Sequence, residues 1–136
     1  MILESAIICL ALNIYHEARG EMIPGQYAVA HVTMNRAGGN QSRVCETVVA
    51  KHQFSWTAKM LARKGAGRYA LKDQGVPRDH KAWALAKHIA RYTLEYKPAD
   101  ITRGATHYHT TAVRPAWRKS LQVVKRVGRH VFYRDA

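Results

Sequence analysis

Two glutamates, Glu17 and Glu21, stand at the end of an apolar stretch and have the best placement for acid–base chemistry. Four apolar residues before them recur at the spacing of one helical face: Leu3, Ile7, Leu10 and Ile14. Gly20 predicts the end of this helix. In its last turn, burial and the negative helix C-terminus both disfavour ionisation of a carboxyl group. A carboxylic acid that stays protonated near neutral pH can protonate the leaving oxygen of a glycosidic bond.

Helices dominate the secondary structure that the sequence predicts. They cover residues 4–19, 27–34, 43–49 and 80–97, with Asp79 as the N-cap of the last one and a turn over 23–25. Residues 59–76 are rich in Lys, Arg and Gly and predict an exposed connection with at most one short helix. Extended segments are expected at 106–113, 123–127 and 131–133, with a helical turn around Trp117. This order predicts one domain over 1–136, of α+β class, mostly helical, with a small β element and a lysozyme-like shape.

Charge and cysteine usage restrict the partners and the compartment. The chain has 22 Lys and Arg against 9 Asp and Glu, a net charge of +13, which predicts an anionic partner such as nucleic acid, lipid headgroups or acidic wall polymers. Cys9 and Cys45 are expected to be buried free thiols, with a disulfide as the alternative. The N-terminal apolar run lacks a preceding basic region and is too short to span a membrane, so we expect synthesis in a cytoplasm.

Six blocks carry a resemblance that spans most of the chain. They are NIYHEARGE (13–21), PGQ (24–26), VTMNR (32–36), QFSW (53–56), ATHYH (105–109) and GRHVFY (128–133). In this order they resemble the spore-cortex-lytic cell-wall hydrolase family. The resemblance implies a lysozyme-like fold and cleavage of the MurNAc–GlcNAc bond of peptidoglycan. Spore members resemble lytic transglycosylases, and bacteriophage members are endolysins. The basic charge, with no wall-binding repeat or export signal, favours the phage type, made in the host cytoplasm and acting on the wall after release.

The resemblance makes Glu17 the expected catalytic acid, with a structural glutamate paired to Arg19 or Arg36 as the alternative. Glu21 is a second candidate, which could act directly, position Glu17, bind sugar or water, or only cap the next helix. Hydrolases normally need two carboxylates beside the bond, whereas a lytic transglycosylase can work with one. We therefore expect a transglycosylase that forms a 1,6-anhydro sugar without a cofactor, and hydrolysis stays open.

Two aromatic-rich segments are candidates for substrate binding. Phe54, Ser55 and Trp56 could form a wall of the glycan groove, since aromatic faces pack on sugar rings, with ordinary core as the alternative. His107, Tyr108 and His109 alternate if extended, so both histidines face one side and Tyr108 the other. Tyr108 could then hold an N-acetyl carbonyl or the acid. The histidines could line the cleft, and structural hydrogen bonding is the alternative for all three.

Two rival functions remain on the sequence alone. His16, His107 and His109 could hold zinc, as in an amidase of wall peptides, but no helical His-Glu-x-x-His pair is present, and no metal is expected. A nucleic-acid-binding module would use the basic residues of the C-terminal third: Arg114, Arg118, Lys119, Lys125, Arg126 and Arg129. No nucleic-acid motif accompanies them. The expected partners are thus peptidoglycan strands together with anionic wall polymers or lipopolysaccharide, bound by a monomer.

Overall fold

A computed structural model describes residues 5–50, 55–65 and 68–135. Helices in these ranges are α1 (Ala6–Ala18), α2 (Ile23–Arg36), α3 (Val44–Val49), α4 (Ser55–Met60) and α5 (His80–Tyr96). Strands are β1 (Leu61–Arg63), β2 (Tyr69–Leu71), β3 (His107–Thr110), β4 (Gln122–Val127) and β5 (His130–Arg134). Short 3-10 turns lie at Gln41–Arg43, Asp73–Gly75 and Ala116–Ser120. No helix among the described residues is long and apolar enough to cross a membrane.

Helix α1 is the centre of the fold, as its apolar periodicity predicts. Ser5 caps its N-terminus by accepting a hydrogen bond from the Ile8 amide at 3.4 Å. Its residues from Cys9 to Tyr15 are all buried, and α2, α3 and α5 pack around it. After Arg19 the chain turns at Gly20, whose φ of +87° favours glycine. The helix therefore delivers its last turn, including Glu17, from the core to the surface.

Helix α2 begins earlier than the sequence pattern predicts. The expected turn over 23–25 is wrong, because Pro24 lies in the first turn of the helix, where its missing N–H costs no hydrogen bond. Helix α5 follows the prediction more closely. Asp79 caps it by accepting a hydrogen bond from the Ala82 amide at 3.1 Å, and Lys97 ends it in the left-handed conformation before Pro98.

Two antiparallel sheets complete the domain. Strands β3, β5 and β4 lie in that order, with Tyr108 opposite Phe132. Phe132 packs with Val29 and Val32 of α2 in a second apolar cluster beside the main core. The hairpin of β1 and β2 was not predicted, since its strands have only three residues each. Leu61 and Leu71 of that hairpin are 8% exposed and join the main core, so this part of the expected exposed connection is buried.

Cys9 and Cys45 form a disulfide, so the prediction of two free thiols is wrong. Their Cα atoms are 5.2 Å apart, within the range that a disulfide spans. The bond joins the start of α1 to α3, which pack side by side. The sequence could not show this packing, because it brings together residues 36 positions apart.

Candidate active site

Glu17 lies half-buried in the last turn of α1, beside an open cleft. The cleft has a volume of about 280 Å³. It is lined by residues of the α1 end, the segment after β3 and the β4–β5 turn: Glu17, Arg19, Glu21, Thr110, Thr111, Ala112, Arg129 and His130. Both glutamates that the sequence singled out therefore reach one cleft.

Burial raises the pKa of Glu17 above its ordinary value. Two neighbours oppose this effect, because a hydrogen bond from the Tyr108 hydroxyl and the positive charge of Arg36 each favour the carboxylate. Burial outweighs both, so the carboxyl group holds its proton to higher pH than a free glutamate. Once ionised, it has a donor and a cation ready to stabilise its charge.

Tyr108 is held against Glu17 by a buried polar network. Its buried hydroxyl also lies near the side chain of Asn13, which is fully buried one turn before Glu17. The Asn13 amide nitrogen donates to Thr33 Oγ1 at 3.1 Å, and Asn13 Oδ1 accepts from Trp56 Nε1 at 2.8 Å. Residues of α1, α2 and α4 thus form a hydrogen-bonded network around Asn13, next to the Tyr108 hydroxyl. Burial and the Glu17 charge raise the pKa of Tyr108, so the phenol stays a proton donor.

Arg36 approaches the same network from the C-terminal end of α2. Its Nε donates to the Thr106 carbonyl at 2.5 Å, which ties the guanidinium to the residue before β3. Burial lowers the pKa of Arg36, while Tyr108 and Glu17 raise it. Because an arginine keeps its charge in proteins, Arg36 supplies a fixed cation near the acid.

Glu21 occupies a different electrostatic environment although it lines the same cleft. Its side chain is only 7% exposed. Burial raises its pKa, but hydrogen bonds and charge from Arg129 outweigh burial and leave the pKa lowered. Arg129 donates to Oε2 at 2.8 and 2.9 Å and, through its backbone amide, to Oε1 at 3.1 Å. His130 Nδ1 lies 3.2 Å from Oε1. Glu21 is therefore an ionised anchor for the β4–β5 turn.

The alternation predicted for β3 is confirmed. Tyr108 faces Glu17 and contacts the rings of His130 and Phe132, whereas His107 and His109 both lie against Trp117 on the other side. His109 Nε2 also lies 2.7 Å from the Tyr133 hydroxyl. Each histidine lines its own depression, and neither lines the cleft of Glu17. A role of the two histidines in binding the glycan therefore stays a prediction, in depressions outside this cleft.

The segment around Trp56 belongs to the core in its described part. Trp56 is 5% exposed and stacks on His16 with ring centroids 4.6 Å apart, so core packing replaces the expected groove wall. Phe54 and the side chain of Ser55 lie outside the described residues. His16 Nε2 lies 2.9 Å from the Gly75 carbonyl. In the part of the chain that the structure describes, no three His, Cys, Asp or Glu side chains group as metal ligands.

Several residues of the site escaped the sequence reasoning. Asn13 and Arg36 lie within the blocks that carry the family resemblance, but the sequence predicts no chemical role for Asn13 and only ion pairing for Arg36. The available signal for Asn13 was a polar residue on an otherwise apolar helix, since buried amides need partners. Arg129 and His130 lie in the GRHVFY block, but nothing local links them to Glu21, because they reach it from 108 and 109 positions away.

Comparisons with known proteins agree with this architecture. The catalytic domain of the germination-specific lytic transglycosylase SleB from Bacillus anthracis superposes with a TM-score of 0.69 at 23% identity, covering 95% of this chain and 93% of that domain. The catalytic domain of SleB from Bacillus cereus gives 0.60 at 22% identity, covering 95% and 90%. These similarities confirm the predicted mostly helical α+β, lysozyme-like fold.

The family comparison covers most of the chain. No curated protein gave a significant match. A family model described as Cell Wall Hydrolase matches residues 20–133. The chain belongs to this cell wall hydrolase family, whose members are enzymes that degrade peptidoglycan.

Proposed function

We propose that the cleft cleaves the β-1,4 bond between MurNAc and GlcNAc, with Glu17 as both acid and base of a lytic transglycosylase. The observation that carries the proposal is the raised pKa of a half-buried carboxyl group that opens onto a cleft. The match to the family model begins at residue 20, after Glu17, so the assignment of the acid rests on this geometry. The SleB domain with the same fold is described as a lytic transglycosylase, which supports the reaction class.

The reaction needs one group that gives a proton and then takes one back. Glu17 protonates the oxygen between the sugars, and the bond from that oxygen to C1 of MurNAc breaks. The substrate's N-acetyl group stabilises the positive charge at C1. The Glu17 carboxylate then accepts the proton of the MurNAc C6 hydroxyl as its oxygen attacks C1, which closes the 1,6-anhydro ring. No water is consumed, and Glu17 ends protonated, as microscopic reversibility requires.

Tyr108 and Arg36 serve the ionised form of Glu17 between these two steps. Their hydrogen bond and charge both favour the carboxylate. Burial favours the protonated form of Glu17, and these two groups favour the carboxylate. Neither form of Glu17 is therefore strongly preferred over the other. A group used in both directions works best in this balanced condition.

A hydrolytic muramidase is the second candidate, because Glu21 is a second, ionised carboxylate on the same cleft. An inverting hydrolase would need this carboxylate to activate a water. Both oxygens of Glu21 already accept hydrogen bonds from Arg129, and this arrangement favours the single-carboxylate reaction.

Mass spectrometry of the products distinguishes the two reactions, since only the transglycosylase gives 1,6-anhydro-MurNAc ends. Replacement of Glu17 by Gln should lower the rate by at least about 100-fold, because an amide cannot donate the proton. Glu95→Gln, on the exposed side of α5, is the matched control and should keep the wild-type rate. Activity of Glu17→Gln within tenfold of wild type would remove Glu17 as the acid.

We further propose that the protein acts as a bacteriophage-type endolysin, made in the host cytoplasm and delivered to the wall as a monomer. The net charge of +13 supports attraction to anionic envelope polymers or lipopolysaccharide. Clearing of permeabilised cells that persists in EDTA would exclude the zinc amidase. Absence of clearing combined with salt-sensitive DNA binding would favour the nucleic-acid module instead.

A further inference from the structure

A second depression, on the other face of the three-stranded sheet, has no role in the proposed reaction. We call it the arginine depression, and its volume is about 410 Å³. Among the residues that line it are Arg114, Arg118, Arg126, Val113, Val123 and Thr111. The strand register shows how three of its lining residues come together: His109 pairs with Val131, and Val131 pairs with Arg126. Residues paired directly across strands share one face of a sheet.

The three arginines give the depression an uncompensated positive charge. Within residues 5–50, 55–65 and 68–135, neither Arg114, Arg118 nor Arg126 forms an ion pair. No Asp or Glu lines the depression. This differs from the neighbouring cleft, where Arg129 is engaged by Glu21. Three free guanidinium groups around one concavity favour a ligand with more than one carboxylate or phosphate.

Apolar side chains restrict the ligand further. Val113 and Val123 are 51% and 44% exposed, and both line the depression beside the arginines. A ligand that fits must therefore carry small apolar groups as well as anionic groups. A peptide that contains alanine and acidic residues has this combination.

The depression adjoins the cleft of Glu17. Thr111, in the segment after β3, lines both concavities, so they are neighbours. In peptidoglycan a stem peptide of alanine and carboxylate-bearing residues branches from the lactyl ether of MurNAc. A MurNAc residue placed in the cleft for cleavage projects this peptide sideways from the glycan strand. The arginine depression shares Thr111 with this cleft and is therefore a neighbouring concavity that such a branch can reach.

We propose that the arginine depression binds the carboxylates of the stem peptide, so that the enzyme prefers peptide-bearing glycan over bare glycan. This inference rests on the proposed function, because it requires MurNAc in the cleft of Glu17. The guanidinium groups bind the peptide carboxylates, and Val113 and Val123 pack on the alanine methyl groups.

The test compares two substrates that differ only in the peptide: glycan strands with their stem peptides and the same strands stripped by an amidase. The wild-type protein should cleave the peptide-bearing strands with a kcat/KM at least about tenfold higher, the worth of one charged hydrogen bond. In the double variant Arg118→Gln, Arg126→Gln this ratio should fall to about one. The matched control Lys125→Gln removes a charge from the same strand outside the depression and should keep the wild-type ratio.

Each other outcome overturns a defined part of the reasoning. Equal cleavage of both strands by the wild-type protein overturns the inference and leaves the proposed function intact. Cleavage of neither strand overturns the proposed function and the inference with it. In a third outcome, the double variant keeps the wild-type ratio of kcat/KM for the two strands but loses binding to vesicles that contain phosphorylated lipid A. This result would overturn the inference and assign the depression to a lipid surface. Circular dichroism of each variant verifies the fold, and a second double variant, Arg114→Gln with Arg118→Gln, replaces one that does not fold.

Discussion

Reduction of the disulfide between Cys9 and Cys45 should remove about 4 kcal/mol of stability. The bond joins residues separated by 36 positions. In the chain-entropy model, closing a loop of this length lowers the entropy of the unfolded chain by about 13 cal/mol/K, or about 4 kcal/mol at 25 °C. Most domains have a free energy of unfolding of roughly 5–15 kcal/mol, so this loss is a large fraction of the total.

Urea unfolding of the oxidised and reduced wild-type protein measures this difference directly. With a slope of roughly 2 kcal/mol/M for a small domain, the midpoint should fall by about 2 M on reduction. The double variant Cys9→Ala, Cys45→Ala should be insensitive to reductant. It is not itself the measurement, because Cys9 is fully buried and its truncation also leaves a cavity.

A reduced protein within about 1 kcal/mol of the oxidised one would refute the entropic reasoning. A mass spectrum showing two free thiols after purification in air would refute the bond itself. If the prediction holds, the chain is less stable in a reducing cytoplasm than at an oxidising cell surface.

Three further predictions concern the carboxyl groups of the cleft. Tyr108→Phe removes a hydrogen bond that lowers the pKa of Glu17, so the alkaline limb of the pH–rate profile should move to higher pH. The control variant Tyr27→Phe should leave the alkaline limb at its wild-type pH. An alkaline limb that does not move in Tyr108→Phe would contradict the prediction. Glu17→Gln should make the fold more stable in urea at pH 8, because a raised folded pKa means that ionisation opposes folding. This gain in stability should disappear below the ordinary pKa of a carboxyl group. Equal stability of the variant and the wild-type protein at both pH values would contradict the prediction. Glu21→Gln should cost about 1–3 kcal/mol at neutral pH. The cost should fade as pH falls through the lowered pKa of Glu21, and a pH-independent loss would indicate packing rather than charge.

Local features of the fold could be predicted from the sequence. The period of α1, the cap of Asp79 on α5 and the alternation of Tyr108 in β3 each depend on residues close in the chain. Hydrophobic period and capping chemistry report such features directly. The position of Glu17 at the close of α1 belongs to the same class, which explains why the sequence predicts its placement.

Features that depend on distant pairing could not be predicted. The disulfide requires that α3 pack against α1, and the ionised state of Glu21 requires Arg129, 108 residues away. Trp56 is a further example of a distant contact that the sequence does not predict. Its indole N–H donates to Asn13 in the core, where a wall of the glycan groove was expected. The sequence shows that a tyrosine or tryptophan is present, but it does not show which buried group will hydrogen-bond its side chain.

The two glutamates of the cleft show how one short segment supplies two opposite kinds of carboxyl group. Glu17 and Glu21 are four residues apart, and burial acts on both. At Glu17 the opposing groups, Tyr108 and Arg36, leave burial dominant and the pKa raised. At Glu21, Arg129 reverses the balance, and the ionised side chain holds the β4–β5 turn with His130 against the Tyr108 ring. His130 therefore links the two glutamate sites, because its Nδ1 lies 3.2 Å from Glu21 Oε1 and its ring contacts the ring of Tyr108 beside Glu17.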